Sequence, residues 1–187
     1  MKKGLIITTE KIINLKKYLF LFLLFLSLDQ FSKIIIRKVF SNNIKNSYNI
    51  IGNFFRITHT QNPGAVFGIS FGSGILNQIL FILISIIAIC ILIYLFQKNS
   101  HTLANFGFTL ILSGAVGNLI DRIAFGTVTD FLDFDFPDFI IERWYIFNIA
   151  DSCIVIGVIV LIIYYTFVEK SAKVRKVSAR RDNEKIK

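Results

Sequence analysis

The chain offers little sulfur or imidazole chemistry. It has two cysteines in 187 residues, Cys90 and Cys153, and both lie in long apolar runs where a thiol packs as a small hydrophobe. That placement assigns neither a disulfide nor a nucleophile. The two histidines, His59 and His101, fall in segments on opposite sides of a membrane in the topology read below, which leaves no zinc site. No G-x-S-x-G, H-E-x-x-H or Cys-His constellation appears, and no internal repeat is visible. Acid is scarce too: 12 Asp and Glu stand against 21 Lys and Arg. Seven of those 12 (Asp121, Asp130, Asp133, Asp135, Asp138, Glu142 and Asp151) sit in one window between strongly apolar stretches. The chemistry left to this chain is that of carboxyl groups.

Apolar residues make up 54% of the chain, with 20 Phe, which is too greasy for an ordinary soluble surface. Four runs are long enough to cross a bilayer core, which takes about 20 apolar residues as helix: 18–36, 75–96, 103–120 and 149–168. An even number of spans puts both ends on one side. Five lysines precede residue 18 and eight Lys or Arg follow Glu169, so the positive-inside rule makes that side the cytoplasm. These basic residues gather at the termini rather than on a folded module with stacking aromatics, which argues against nucleic acid. The apolar run from Tyr18 to Leu28 follows a lysine-rich start but no A-x-A-like cleavage site, so it reads as an uncleaved first span. The expectation is an all-α membrane protein with four transmembrane helices, cytoplasmic N- and C-termini, and outer segments at 37–74 and 121–148. Residues 1–170 form a single domain, and the basic tail 171–187 is disordered.

The first outer segment carries a strand signal. Phe55 and Ile57 alternate with Arg56, Thr58 and Thr60, and Asn62-Pro63-Gly64 follows as a turn. Four glycines lie between Gly64 and Gly74. The spacing predicts a small extracytoplasmic β element resting on the membrane face.

Polar residues within the spans cluster at their outer ends. Asp29 and Lys33 are four apart and share one helix face, which fits either an internal ion pair or a functional role. Ser32, adjacent to Lys33, cannot face it, so a Ser-Lys dyad is set aside. At about 100° per residue, Gly107, Gly114, Asn118 and Asp121 fall on one stripe of the third span, flanked by Arg122. Glycine-mediated packing explains the small residues; a buried Asn118 amide needs partners besides. Asn148 and Asp151 resemble a helix N-cap with an acid in the first turn. Asp133, Asp135, Asp138 and Glu142 read as solvated loop acids.

The second span has no charge before Lys98, and the cytoplasmic halves of the others have none either, so no polar route crosses the membrane as a transporter or channel requires. A non-catalytic scaffold would treat Asn148 and Asp151 as a cap and Asp121 and Arg122 as an ion pair. Two aspartates brought close share a proton and can hydrolyse a peptide bond; a divalent cation between carboxylates is the chemical competitor.

Five blocks in order, D-Q-F-S-K (Asp29 to Lys33), N-P-G-A-V-F-G (Asn62 to Gly68), G-A-V-G-N-L-I-D-R (Gly114 to Arg122), V-T-D-F (Val128 to Phe131) and F-N-I-A-D (Phe147 to Asp151), resemble the lipoprotein signal peptidases, the type II signal peptidases of bacteria. The resemblance spans all four helices and both outer segments. It implies a catalytic dyad of Asp130 and Asp151, with Asp29, Lys33, Asn62, Gly64, Gly114, Asn118, Asp121, Arg122, Asn148 and Ala150 lining or bracing the site, and neither metal nor cofactor. It also implies a diacylglyceryl-modified prolipoprotein substrate cut just before its lipid-modified cysteine, contact with membrane lipids, and a monomer in the bacterial cell membrane with its site on the extracytoplasmic face.

Overall fold

The structure is a computed structural model that describes residues 9–41, 46–64, 74–135 and 145–171. Four helices dominate: α1 (Thr9–Phe40), α2 (Ile75–Lys98), α3 (Thr102–Phe125) and α4 (Ile149–Ile163), the last continuing as π-helix over Tyr164–Glu169. Each contains a stretch long and apolar enough to cross a membrane. Twenty-four helical residues, as in α2 and α3, reach about 36 Å at a rise of about 1.5 Å per residue. α3 is the central helix: 56% of its apolar window is buried, against 6% for α2. Its neighbours leave large apolar side chains exposed, among them Phe20, Phe31, Ile87 and Ile159, as lipid-facing helices do.

Why α3 tolerates so much contact is visible in its glycines. A Cβ on Gly114 would collide with the backbone carbonyl of Ala150, and one on Gly157 of α4 would lie 2.7 Å from the carbonyl oxygen of Gly107. α3 and α4 therefore meet backbone to backbone, as small residues permit in membranes. α3 also runs further than its apolar run suggests, to Phe125, and stops at Gly126, which takes the left-handed conformation and returns its N–H to the Arg122 carbonyl.

At one end of the bundle lies an antiparallel sheet of three strands, β1 (Ser47–Ile51), β2 (Phe55–Asn62) and β3 (Val128–Phe134), in that order. β3 docks on the end of α1, where Phe131 packs with Ile36 and Phe40. β2 pairs with β3 as Ile57 with Leu132, then as Thr60 with Asp130, so β2 carries one extra residue in between. This bulge has a consequence for the faces. Arg56 and Thr58 lie on the face of Asp133, whereas Thr60 and Asn62 are switched to the face of Asp130. The regular alternation expected from the sequence, with Arg56, Thr58 and Thr60 on one side, is broken there.

The basic tail from residue 172 onward, the glycine-rich stretch 65–73, and Asp138 and Glu142 lie outside the described residues.

Candidate active site

β3 and the first turn of α4 converge at the sheet end of the bundle. After β3 the chain returns to pair Leu132 with Phe147, whose carbonyl accepts the N–H groups of both Phe131 and Leu132. That bridge sets Asn148 beside Asp130. Asn148 is the N-cap of α4, and the capping box is complete: its Oδ1 accepts the Asp151 N–H at 2.9 Å while Asp151 Oδ2 accepts the Asn148 N–H at 3.2 Å. The capping reading of F-N-I-A-D is therefore correct, yet it does not exhaust these residues.

The same Asn148 donates from Nδ2 to Asp130 Oδ1 at 2.6 Å. Asn62, at the end of β2, donates to Asp130 Oδ2 at 3.0 Å, and Asn118, on α3, donates to Asp151 Oδ1 at 2.8 Å. Each of the four carboxylate oxygens thus accepts one N–H. None of the three amides is free to turn over, because each carbonyl side faces an obligate donor. Asn62 Oδ1 takes the Gly64 N–H, Asn148 Oδ1 takes the Asp151 N–H, and Asn118 Oδ1 takes the Lys33 ammonium at 2.9 Å. Three asparagines from three elements aim their amino groups at two carboxyls.

Asp130 is 2% exposed. Burial raises its pKa to about 7, with the nearby charge of Asp151 adding to the rise and the amides of Asn62 and Asn148 and the Lys33 charge opposing it.

The remaining predicted residues form the frame. Lys33 is fully buried, 2.9 Å from Asp29 and 3.6 Å from Asp121, so the i,i+4 ion pair exists and also reaches the site through Asn118. Asp29 Oδ1 accepts the N–H of Ala150 in the first turn of α4. Ala150 itself is buried against Gly114. Arg122 donates to the Gly64 carbonyl at 3.1 Å, lies over the Phe81 ring, and its own carbonyl accepts from Gln78, which ties the turn after β2 to α2 and α3. Ser32 bonds the Asp29 carbonyl of its own turn, away from any partnership with Lys33.

Asp133 is not the solvated loop acid expected from the sequence. It is fully buried on the opposite face of β3, where it accepts from the Thr58 hydroxyl at 2.6 Å and pairs with Arg56 at 3.5 Å. Alternation with Phe resembled a wet loop; it is a strand whose acid holds β2 to β3. Asp135, half-buried, pairs with the same Arg56.

Sequence reasoning missed Arg37, Gly117 and Thr129. A Cβ on Gly117 would sit 2.5 Å from Asp29 Oδ2, so only glycine admits that carboxylate. Arg37 bonds Asp121 and Thr129, and the signal for it was present: Asp29, Lys33 and Arg37 follow one another at intervals of four on α1. Among the described residues, no group of three or more His, Cys, Asp or Glu side chains converges as a metal-ligand set.

Comparison with solved structures defines the class. A bacterial membrane enzyme solved by the in meso method at 1.9 Å is 34% identical and superposes with a TM-score of 0.70, covering 82% of this chain and 94% of that one. A second, at 2.3 Å, gives 0.69 at the same identity. The fold is that of a membrane enzyme. The family described as signal peptidase (SPase) II matches residues 21–167. A lipoprotein signal peptidase of Psychromonas ingrahamii is 40% identical over 159 residues, 84% of this chain and 88% of that protein. One from Clostridioides difficile is 38% identical over 159 residues, 83% and 99% of the two chains. The chain belongs to the signal peptidase II family, whose members are aspartic-type proteases. Neither the transporter nor the scaffold reading is favoured by this membership.

Proposed function

We propose that this protein removes the signal peptide from diacylglyceryl-modified prolipoproteins by cutting just before the lipid-modified cysteine, with Asp130 and Asp151 as its catalytic pair. The observation that carries the assignment is the bridge of three fixed asparagines, which sets two carboxyl groups side by side around Asn148. Charge supports it. Asp29, Asp121, Asp130 and Asp151 stand with Lys33, Arg37 and Arg122, four acids to three bases, so the cluster is neutral when the pair holds one proton.

In the resting pair Asp130 carries that proton, in keeping with its raised pKa of about 7. Asp151, at the N-terminus of α4, is the ionised partner. It takes a proton from water as the oxygen attacks the scissile carbonyl carbon, while Asp130 gives its proton to the carbonyl oxygen. The resulting gem-diol collapses, the C–N bond breaks, the leaving amine takes a proton from Asp151, and one hydroxyl proton returns to the pair. The products are a carboxylic acid and an amine, and the pair again holds one proton.

A lipid on the cysteine would hold the scissile bond at the level of the sheet, on the extracytoplasmic face of the bacterial cell membrane, with its acyl chains among the apolar helix faces and membrane lipids. In this reading the protein acts as a monomer. The frame residues Asp29, Lys33, Gly64, Gly114, Asn118, Asp121, Arg122 and Ala150 act by holding the pair and the turn beside it.

The test is cleavage by the purified protein in lipid of a precursor carrying diacylglyceryl on its cysteine, with the products identified by mass. The expected result is a cut just before the modified cysteine, none in the unmodified precursor, and an undiminished rate with a strong chelator. Equal cleavage of both precursors would overturn the substrate reading. Loss with chelator, restored by a divalent cation, would favour a carboxylate-metal site.

A further inference from the structure

One ion-pair group lies on the face of β3 turned away from the pair. Thr129 immediately precedes Asp130, and successive strand residues point to opposite faces. Its hydroxyl accepts a hydrogen bond from Arg37 Nη1 at 2.8 Å. The same Nη1 donates to Asp121 Oδ1 at 3.3 Å, and Asp121 Oδ2 accepts the backbone N–H of Thr129 at 2.9 Å. Arg37, Asp121 and Thr129 therefore close a ring that grips Thr129 by side chain and backbone together. The Arg37 guanidinium is fixed in turn by the Phe125 ring, 4.3 Å below it. Asp121 keeps a second partner in Lys33. Thr129 is 3% exposed, and its carbonyl lies 3.4 Å from Asn148 Nδ2, the amide that also meets Asp130.

The geometry points to Arg37 as a positioning residue for peptide hydrolysis: acting through Thr129, it fixes the backbone from which Asp130 is presented to Asn148 and Asp151. This rests on the reading of Asp130 as catalytic. The physical reason is lever length. β3 meets α1 on its Thr129 and Phe131 face; Phe131 makes only apolar contact there, which permits sliding, whereas the ring around Thr129 sets position to within a hydrogen bond. A displacement of about 1 Å at a reacting group can cost about 100-fold in rate. The substrate has no contact with Arg37 in this scheme, so the effect falls on turnover and not on binding.

The experiment is a kinetic double-mutant cycle on the full chain in lipid, with the diacylglyceryl precursor, comparing Arg37→Met, Thr129→Val and the pair. Thr129→Val removes only the hydroxyl and keeps the β-branched shape, so it tests the contact without opening a cavity. Each single variant is expected to lower kcat about tenfold with KM unchanged, and the double variant to be no slower than Arg37→Met alone. Multiplying losses, an effect confined to KM, or a wild-type kcat in Thr129→Val would overturn the role. Asp130→Asn in the same assay separates the two readings. If it is inactive while Arg37→Met turns over normally, only the positioning role fails; if it is fully active, the assignment of Asp130 fails first.

Discussion

Asp130 gathers the most conflicting demands of any residue in the chain. Its two oxygens accept amide hydrogens, which favour the charge, yet burial and the neighbouring Asp151 outweigh them and raise its pKa to about 7. The sign of the consequence follows from linkage. A group whose folded pKa is raised from 3.8 to about 7 stabilises the fold fully below about pH 4, and that contribution is lost as pH rises through 7. Two outcomes are expected. The cleavage rate should fall as pH rises past about 7, where the pair loses its proton. Wild-type thermal stability in detergent should decline between about pH 4 and 7 relative to Asp130→Asn, which has no proton to lose there, and level off above that. A rate that climbs steadily to pH 9 would show that the protonated carboxyl is not required. At this scale the sequence was legible where a motif or helix spacing carried the residue, as with Asn148, Asp151 and the pair Asp29 and Lys33. It misled at Asp133, because alternation with Phe describes a wet loop and a buried strand equally well; only the pairing of Arg56 with Asp133 separates them.

Among the elements, α3 and α4 depend on contacts that no side chain makes. Gly114 faces the carbonyl of Ala150, and backbone cannot step aside as a flexible side chain does. Gly114→Ala is therefore expected to destabilise the bundle by about 1–3 kcal/mol, read as a lower unfolding temperature in detergent, and to lower activity by shifting α4 and its cap. Unchanged stability and activity would mean the two helices can separate at no cost. The stripe of Gly107, Gly114 and Asn118 was legible from helical periodicity. The bulge in β2 was not, since nothing between Ile57 and Thr60 marks an extra residue. It nevertheless decides that Asn62 shares a face with Asp130. Gly117 escaped notice for a related reason: its partner, Asp29, is 88 positions away in the chain.

In the whole molecule, membrane and chemistry divide the chain between them. The four spans were legible because apolar length alone specifies them, and the structure extends α1 and α3 beyond their apolar runs to carry Arg37 and Arg122 to the sheet end. The sheet was legible only in part: β2 announced itself, whereas β3 lay hidden among acids that looked solvated. What no local pattern could supply is the convergence of β2, α3 and α4 on two carboxyls through three asparagines, since these contacts join residues 18 to 68 positions apart. Those two carboxyls are the groups expected to cut the peptide bond. The most direct measurement is single-turnover cleavage of the diacylglyceryl precursor by Asp130→Asn and Asp151→Asn, each checked for normal membrane insertion. No cleavage should be detectable in either variant; full activity in either one would show that the bond is cut without that carboxyl.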